Sequence, residues 1–142
     1  MEEVPAPVRK QLAETAACIL STNHHLKTVD FYAFSWKSDS GEGAVVLSAL
    51  ARSPSLASIT HFKVCDNYSW FRGEDSESNM EHLCAAITKM TSLNYLNLCF
   101  SYFNTEQCEQ MINCIVANHQ ANPSLKDINL CYAGGDDNEN FS

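Results

Sequence analysis

Residues 93–98 read Leu-Asn-Tyr-Leu-Asn-Leu, a stretch with leucine at its first, fourth and sixth positions. The same L-x-x-L-x-L spacing of apolar residues occurs at three more places in the chain. The four copies begin at Leu26, Ile59, Leu93 and Leu125, so their starts are 33, 34 and 32 residues apart. In an extended chain the fourth and sixth positions point to one side, and the third, fifth and seventh point to the other. The pattern therefore predicts four short β-strands, one in each repeating unit.

The second copy has two alternative registers. Residues 54–56 resemble residues 123–125, which would start the repeat three residues earlier and would bury His61. A start at Ile59 instead places Phe62 in the buried position. We favour the start at Ile59, because it keeps the buried positions apolar.

Helical patterns separate the strands. Two segments carry apolar residues at the i, i+3, i+4, i+7 spacing of a helix with one apolar face. These residues are Met80, Leu83, Cys84 and Ile87 in the first segment, and Cys108, Met111, Ile112 and Ile115 in the second. We predict that Ser78 or Asn79 caps the first of these helices and that Asn104 or Thr105 caps the second.

Two further helices complete the alternation. A short one is predicted over Ala44–Ala51, and another over Val8–Leu20, before the first strand, with Pro7 in its first turn. Strands that alternate with helices pair in parallel through right-handed crossovers. A doubly wound sheet would bury both faces of its strands, whereas these strands carry polar residues on one side. We therefore predict an α/β solenoid of about four β-α repeats, with a curved parallel sheet, helices on the convex side and an N-terminal capping helix.

The whole chain, residues 1–142, is predicted to form a single domain of this kind. Residues 1–23 form its N-terminal cap helix, residues 24–133 form the repeats, and residues 134–142 form an acidic tail. The first residues show no signal-peptide pattern, and no apolar run approaches the roughly 18 residues of a membrane span. We therefore expect a cytoplasmic protein, with the nucleus as the other location.

The stretch Leu93-x-x-Leu96-x-Leu98, followed by a polar loop and an amphipathic helix, resembles a leucine-rich repeat. With helices between the strands and cysteines beside them, the chain is most similar to the ribonuclease-inhibitor type, which also forms the repeat region of NOD-like receptors. The resemblance covers about residues 24–133. It departs from the family in repeat length, since the starts here are 32 to 34 residues apart and roughly 28 or 29 are usual. At the ninth position, where the family has Asn or Cys, this chain has Phe34, Asn67, Ser101 and Ala133, so that only Asn67 matches.

Charge and motifs narrow the class of function. Seventeen Asp and Glu against nine Lys and Arg give a net charge of −8. A general binder of nucleic-acid phosphates is not expected with this balance, so the predicted partner is another protein, neither nucleic acid nor membrane. The sequence contains no G-x-S-x-G, P-loop or H-E-x-x-H pattern. We predict a protein that is not an enzyme and has no catalytic residues, no metal site and no cofactor.

The polar side of the strands, with the loops that follow them, is predicted to bind the partner. This side mixes polar residues with aromatic ones, which is the composition of protein-binding hot spots. The candidate partner-binding residues on it are Asp30, Tyr32, His61, Lys63, Tyr95, Asn97, Phe100, Asp127, Asn129 and Tyr132. Trp70, in an aromatic loop that also carries Arg72, is added to them as a contact, whereas Trp36 and Phe103 are predicted to lie in the core.

The cysteines support a second hypothesis. Cys65, Cys99 and Cys131 share the seventh position and would form a ladder across three neighbouring strands. Such a ladder could hold a soft metal or be oxidised, which would make the chain a redox or metal-responsive thiol protein. The helical cysteines are interpreted as core packing, except for one that lies off its apolar stripe; they are Cys18, Cys84, Cys108 and, off the stripe, Cys114.

The end of the chain supports a third hypothesis. No helix follows the last strand, so Leu125, Ile128 and Leu130 are expected to be only half covered. Either the acidic tail folds back and Phe141 covers this end, or the open strand edge pairs with another chain. The third function is therefore that of a structural subunit that docks, or associates with itself, through its last strand.

Overall fold

A computed structural model of the chain describes residues 5–31, 41–65, 68–99 and 101–130. Helices and strands alternate along these ranges, beginning with a helix. They are α1 (Ala6–Thr22), β1 (Thr28–Asp30), α2 (Glu42–Ala51), β2 (His61–Lys63), α3 (Ser76–Thr88), β3 (Tyr95–Asn97), α4 (Thr105–Ala121) and β4 (Asp127–Asn129). Two 3-10 helices, Leu56–Ser58 and Tyr68–Phe71, lie in the connections that precede β2 and α3. The four predicted helices are thus confirmed, and α1 and α2 extend slightly beyond their predicted bounds.

The four strands form one parallel sheet in the order β1-β2-β3-β4. In its register Phe62 of β2 lies between Val29 of β1 and Leu96 of β3. This register confirms the start of the second repeat at Ile59. These three side chains are buried in the core, whereas their neighbours Thr28 and His61 are exposed. One face of the sheet therefore packs against the helices and the other faces solvent, as predicted for a solenoid.

The core lies between the sheet and a row of helices. Leu96 of β3 and Met80 and Ile87 of α3 are fully buried in it. Each helix packs against the next one, α1 on α2, α2 on α3 and α3 on α4. Phe103 is buried as predicted, and its ring lies edge-to-face on Phe71 with 5.1 Å between the ring centroids. Each repeat thus covers the apolar side of its neighbour, which is how solenoids are stabilised.

Within the described residues, the outer side of the last repeat is uncovered. Ile128 and Leu130 are 43% and 42% exposed, as predicted for a half-covered repeat, but the same prediction is wrong for Leu125, which is buried. The prediction that Ile112 belongs to the apolar stripe of α4 is wrong, since its side chain is 56% exposed. Because α4 packs against α3 on one side, its buried face is rotated away from Ile112. That face consists of Gln107, Met111, Cys114 and Asn118.

The start of α4 confirms the cap predicted at Asn104. Its side-chain oxygen accepts a hydrogen bond from the backbone N–H of Gln107 at 2.8 Å. In return, the backbone N–H of Asn104 donates to Oε1 of Gln107 at 3.0 Å. This reciprocal pair is a capping box, which satisfies two backbone donors at the end of the helix.

The caps predicted for α3, Ser78 and Asn79, are wrong. The helix begins at Ser76, after Asp75, whose side chain makes no capping hydrogen bond. Asn79 is buried within the first turns of the helix, and its Nδ2 donates to the carbonyl oxygen of Trp70 at 2.8 Å. Its amide therefore holds the preceding loop and does not cap the helix.

Buried amides of α4 bind the third repeat to the fourth. Nδ2 of Asn118 donates to the carbonyl oxygens of Ile87 and Met90, at 2.7 and 3.0 Å. Nδ2 of Asn122 donates to the carbonyl oxygen of Leu93 at 2.9 Å. These carbonyls lie at the end of α3 and in the turn to β3, where those of Ile87 and Met90 each also accept a backbone N–H of the turn, from Met90 and Leu93. Side-chain amides of the fourth repeat therefore donate hydrogen bonds to backbone carbonyls of the third repeat and join the two.

Among the described residues, no helix is long and apolar enough to cross a membrane. The interpretation of Trp36 as core concerns a residue outside the described ranges. The predictions for the acidic tail, including a cover formed by Phe141, concern residues outside them as well.

Candidate binding face

The exposed face of the sheet presents its side chains in two rows that cross the strands. The parallel register places Thr28, His61, Tyr95 and Asp127 in the first row, and Asp30, Lys63, Asn97 and Asn129 in the second. Neighbouring strands lie about 4.8 Å apart, so that each row spans about 14 Å. We call the exposed and half-exposed members of these rows the strand-face patch: Thr28, Asp30, His61, Lys63, Tyr95, Asp127 and Asn129.

Two rings occupy the middle of the strand-face patch. His61 and Tyr95 lie side by side, with 5.8 Å between their ring centroids and 38° between their planes. The side chain of Asn97 donates from Nδ2 to the hydroxyl oxygen of Tyr95 at 2.9 Å. On the other side, Nδ1 of His61 and Oγ1 of Thr60 are hydrogen-bonded at 2.9 Å. Both rings are therefore fixed by polar neighbours while their outer surfaces remain accessible.

The hydroxyl of Thr60 links the ring of His61 to the chain that leads into β1. Oγ1 of Thr60 also lies 3.2 Å from the carbonyl oxygen of Lys27. Thr60 thus holds the ring of His61 through Nδ1, and Nε2 is the ring nitrogen that remains for a partner. Sequence reasoning did not include Thr60 among the functional residues, because strand alternation places it on the other side from His61.

The charges of the patch nearly cancel. Nζ of Lys63 lies 3.6 Å from Oδ2 of Asp30, and both side chains are partly exposed. An ion pair of this kind contributes little to stability, but it orders two long side chains on neighbouring strands. Asp127, at the outer strand, adds a carboxylate that is exposed. The patch is therefore a mildly acidic, hydrogen-bonding surface around two rings.

The structure corrects the role predicted for Asn97. Its side chain is only 7% exposed, and both ends of its amide are used within the repeat. Oδ1 accepts from the backbone N–H of Cys99 at 2.9 Å, while Nδ2 holds Tyr95. Asn97 is therefore a positioning residue beneath the patch and not an exposed contact.

The exposed contact predicted at Trp70 is also wrong. The indole is 3% exposed and lies against α2, where a Cβ atom on Gly43 would come within 2.7 Å of the ring. It packs edge-on against Phe31, at 5.7 Å between the ring centroids. Arg72 of the same loop donates from a guanidinium nitrogen to the carbonyl oxygen of Tyr102 at 3.0 Å. The loop is thus built into the core and joins neighbouring repeats.

Three of the predicted partner-binding residues, Tyr32, Phe100 and Tyr132, lie outside the described residues. Apart from these three and from Trp70 and Asn97, which are buried, six predicted residues remain. They share one face of the sheet and are Asp30, His61, Lys63, Tyr95, Asp127 and Asn129. The alternation of the strands therefore predicted which residues form one continuous surface. It could not show that Tyr95 is accessible on that surface whereas Asn97 is buried beneath it and positions Tyr95.

Two members of the predicted cysteine ladder are buried at the end of the strands. Sγ of Cys65 donates to the carbonyl oxygen of Asn97 at 3.8 Å, and Sγ of Cys99 donates to Oδ1 of Asn129 at 3.0 Å. Burial raises the pKa of the Cys65 thiol, and the hydrogen bond from the Cys99 backbone offsets this only in part. Cys131 lies outside the described residues. Within those ranges no three His, Cys, Asp or Glu side chains are grouped closely enough to hold a metal ion.

A solved structure supports this description of the fold. The C-terminal domain of tropomodulin, from Caenorhabditis elegans, superposes on this chain with a TM-score of 0.58 at 16% sequence identity. The match covers 82% of this chain and 62% of that domain, so this chain spans less than two thirds of its length. The fold is that of a leucine-rich repeat solenoid. No protein-family model matches the chain, and no curated protein matches it.

Proposed function

We propose that the chain is a non-catalytic protein-binding module and that it holds its partner on the strand-face patch. The observation that carries this proposal is the pair of rings in the middle of the patch, His61 and Tyr95, held by Thr60 and Asn97. Aromatic side chains surrounded by polar groups are typical of the centres of protein interfaces. The likeness in fold to the tropomodulin C-terminal domain supports a solenoid module of this class.

The mechanism is binding to a preorganised surface. Hydrogen bonds of the parallel ladder fix the spacing between the rows, and the supporting side chains fix the rings. Ordering an interface side chain on binding costs roughly 0.5–1.5 kcal/mol, so rings that are already held lose less on binding than mobile ones. A partner that offers a hydrogen-bonding group to Nε2 of His61 and an apolar group to the face of Tyr95 would fit the centre. A basic group would fit beside Asp127.

The thiol hypothesis for the strand ladder is weaker than the binding hypothesis. A reactive cysteine needs an accessible thiolate, which requires a depressed pKa. Cys65 and Cys99 are buried, and the pKa of Cys65 is raised by burial. These observations favour packing over redox or metal chemistry at this ladder.

Finer features of the proposal rest on sequence. The similarity to the ribonuclease-inhibitor type is carried by the helices between the strands and by the cysteines beside them. The net charge of −8 favours a protein partner over nucleic acid, and we propose a cytoplasmic or nuclear location without membrane attachment.

Comparative affinity capture tests the binding face. The intact chain, a patch variant (His61→Ala with Tyr95→Ala) and a helix-face control (Glu109→Ala with His119→Ala, both exposed on α4) are used as baits in parallel. Truncation of a binding hot spot typically costs about 2 kcal/mol or more, or ~30-fold in affinity. We expect a protein that is retained by the intact chain and by the control and is lost with the patch variant. Loss with the helix-face control and retention by the patch variant would contradict the proposal.

A second candidate function, end-on self-association, is favoured by the apolar groups at both ends of the stack. Ile112, Val116 and Ile128 are exposed at the last repeat, and Val8, Leu12 and Ile19 are exposed on α1. The outer edges of β1 and β4 belong to one parallel sheet, so that β1 of a second copy could continue the sheet beside β4. Contacts of this head-to-tail kind join unlike surfaces and can extend into chains of molecules.

Light scattering over a range of concentrations tests this association. We expect the mass of the intact chain to rise with concentration and that of a variant with Ile112→Lys and Val116→Lys to stay monomeric. A control with Glu109→Lys on the same helix should behave as the intact chain does. An intact chain that stays monomeric up to about 100 μM, well above the micromolar dissociation constants of ordinary specific complexes, would contradict self-association.

A further inference from the structure

Two thiols meet where α3 packs against α4. Cys84 of α3 and Cys114 of α4 line the same open groove, together with Glu81, Gln110 and Asn113. We propose that Cys84 and Cys114 are a redox-modifiable pair that a hydroperoxide converts into a disulfide between the two helices. This pair is distinct from the strand ladder of Cys65 and Cys99, and it lies on the helix side of the sheet, away from the strand-face patch.

Backbone geometry places the two sulfurs together. Sγ of Cys84 donates to the carbonyl oxygen of Gln110 at 3.7 Å. In α4 that carbonyl also faces the backbone N–H of the residue four positions later, which is Cys114. The Cys84 sulfur therefore lies at the turn of α4 that carries Cys114. The helices themselves are held in register by the buried amide of Asn118, one turn further along α4.

The two thiols have different surroundings. Cys84 is half-buried at the wall of the groove, whereas Cys114 is only 6% exposed, with its Sγ 3.5 Å from Sδ of Met111. A hydrogen bond between the thiols lowers the pKa of Cys84. The same hydrogen bond, together with burial, raises the pKa of Cys114. Because Cys84 is the more accessible of the two, it is the thiol that a peroxide in the groove reaches first, and the buried Cys114 is its neighbouring resolving thiol.

The reaction proceeds in two balanced steps with hydrogen peroxide as the simplest hydroperoxide. The Cys84 thiolate attacks one peroxide oxygen: an S–O bond forms, the O–O bond breaks, and hydroxide leaves and takes up the proton that the thiol released. The sulfur of Cys114 then attacks the sulfenic sulfur of Cys84. An S–S bond forms, the S–OH bond breaks, and the hydroxyl leaves as water with the proton of Cys114. Two thiols are oxidised, and one peroxide is reduced to two molecules of water.

The sequence interpretation of these residues is corrected in part by the structure. Cys84 packs against the core as predicted, but it is only partly buried and also lines the groove. Cys18 was placed in the core, yet it is exposed on α1. Cys114, which lies off the predicted stripe of α4, is the buried one. Helical spacing shows which residues share a face of one helix, but it cannot show which residues of two helices meet.

Peptide mapping of the oxidised full chain tests the proposal. The reduced protein is treated with an equimolar amount of hydrogen peroxide, quenched by alkylation and cleaved with trypsin. Cleavage at Lys89 separates residues 73–89, which contain Cys84 alone, from residues 90–126, which contain Cys99, Cys108 and Cys114. We expect the intact mass to fall by two hydrogen atoms and the two peptides to be linked. Fragmentation of the linked pair should place the second sulfur at Cys114.

Variants separate the two steps. With Cys114→Ser we expect the reaction to stop at a sulfenic acid on Cys84, which dimedone traps, and with Cys84→Ser we expect neither product. Cys18→Ser, which removes an exposed thiol, is the matched control and should leave linkage unchanged. In the unmutated chain, alkylation of Cys84 after peroxide treatment, or its linkage mainly to Cys99 or Cys108, would overturn the proposal without depending on how the variants fold.

Discussion

The third and fourth repeats carry the same apolar pattern but bury it to different extents. Leu96 of β3 is completely buried, whereas Ile128, its neighbour in the register of β4, is 43% exposed. The difference does not come from residue type, since both side chains are large and aliphatic. It arises because β3 has a strand on each side, whereas β4 is the edge of the described sheet. Burial in this fold is therefore a property of neighbouring repeats and not of a repeat alone.

The comparison explains how the molecule is held together. An interior repeat is covered on two sides. Among the described residues, the last repeat is held by its predecessor alone, through Leu125 in the core and through the amides of Asn118 and Asn122. In a solenoid the stability is approximately a sum of such nearest-neighbour terms. Substitutions at an interface between interior repeats should thus lower the free energy of unfolding strongly, and equivalent substitutions in the last repeat should lower it only slightly.

The largest loss of stability is expected when the chain is cut between two repeats. We predict that a chain cut after Pro54 gives two fragments, 1–54 and 55–142, neither of which is stably folded. Each fragment loses the neighbour that covers one of its apolar sides, because Val29 and Phe62 belong to one core cluster. Thermal unfolding followed by circular dichroism measures this. Two fragments that each melt cooperatively would show that the repeats do not depend on one another.

The central comparison is tested by Leu96→Ala and its terminal counterpart Ile128→Ala. Removal of a fully buried leucine side chain is expected to lower the free energy of unfolding by about 2–5 kcal/mol. Since Ile128 is partly exposed, its truncation should cost about 1 kcal/mol. Urea denaturation of both variants gives the two values. Equal losses of unfolding free energy in the two variants would mean that, in solution, the last repeat is covered to the same extent as the third.

The contact between the last two repeats can also be tested at a polar residue. The buried amide of Asn118 donates hydrogen bonds to two backbone carbonyls of the preceding repeat. We expect Asn118→Ala to lower the free energy of unfolding by about 1–3 kcal/mol, because those carbonyls lose a buried donor. His119→Ala, at the next and exposed position, is the control and should change it little. If both variants are equally stable, the amide does not join the repeats.

The smallest effect is expected at the helix starts. Asn104→Ala removes the capping box of α4 and should cost about 1 kcal/mol. Asp75→Ala should cost less, because the Asp75 side chain makes no capping hydrogen bond at α3. The urea midpoints of the two variants measure this difference, provided that both variants unfold with the same dependence of free energy on urea concentration. A larger loss at Asp75 would contradict the assignment of the two helix starts.

Sequence was sufficient for features that depend on spacing within one repeat. The apolar positions of residues 93–98 and their three counterparts determined the strands, the register and the exposed face, because strand alternation is local. The cap at Asn104 was likewise one of the two predicted for α4, since its partner Gln107 is three residues away. The strand-face patch followed from the same alternation.

Features that depend on contacts between repeats were beyond the sequence. Trp70 was interpreted as a surface contact, because nothing local shows that Gly43 of another helix leaves room for its ring. Asn97 was placed on the surface because strand alternation cannot show that its amide bonds inward to the Cys99 backbone. Ile112 was placed in the core because helical spacing does not show how far each helix is rotated against the next.

The most direct test of the proposed function is oxidative footprinting of the chain, alone and bound to the protein that it captures. Two matched pairs of residues make the comparison internal: His61 and His119 are both exposed, and Tyr95 and Tyr102 are both partly exposed, but only His61 and Tyr95 lie on the strand-face patch. We predict that binding reduces the labelling of His61 and Tyr95 and leaves that of His119 and Tyr102 unchanged. Protection of His119 and Tyr102, with His61 and Tyr95 labelled as in the free chain, would contradict the account.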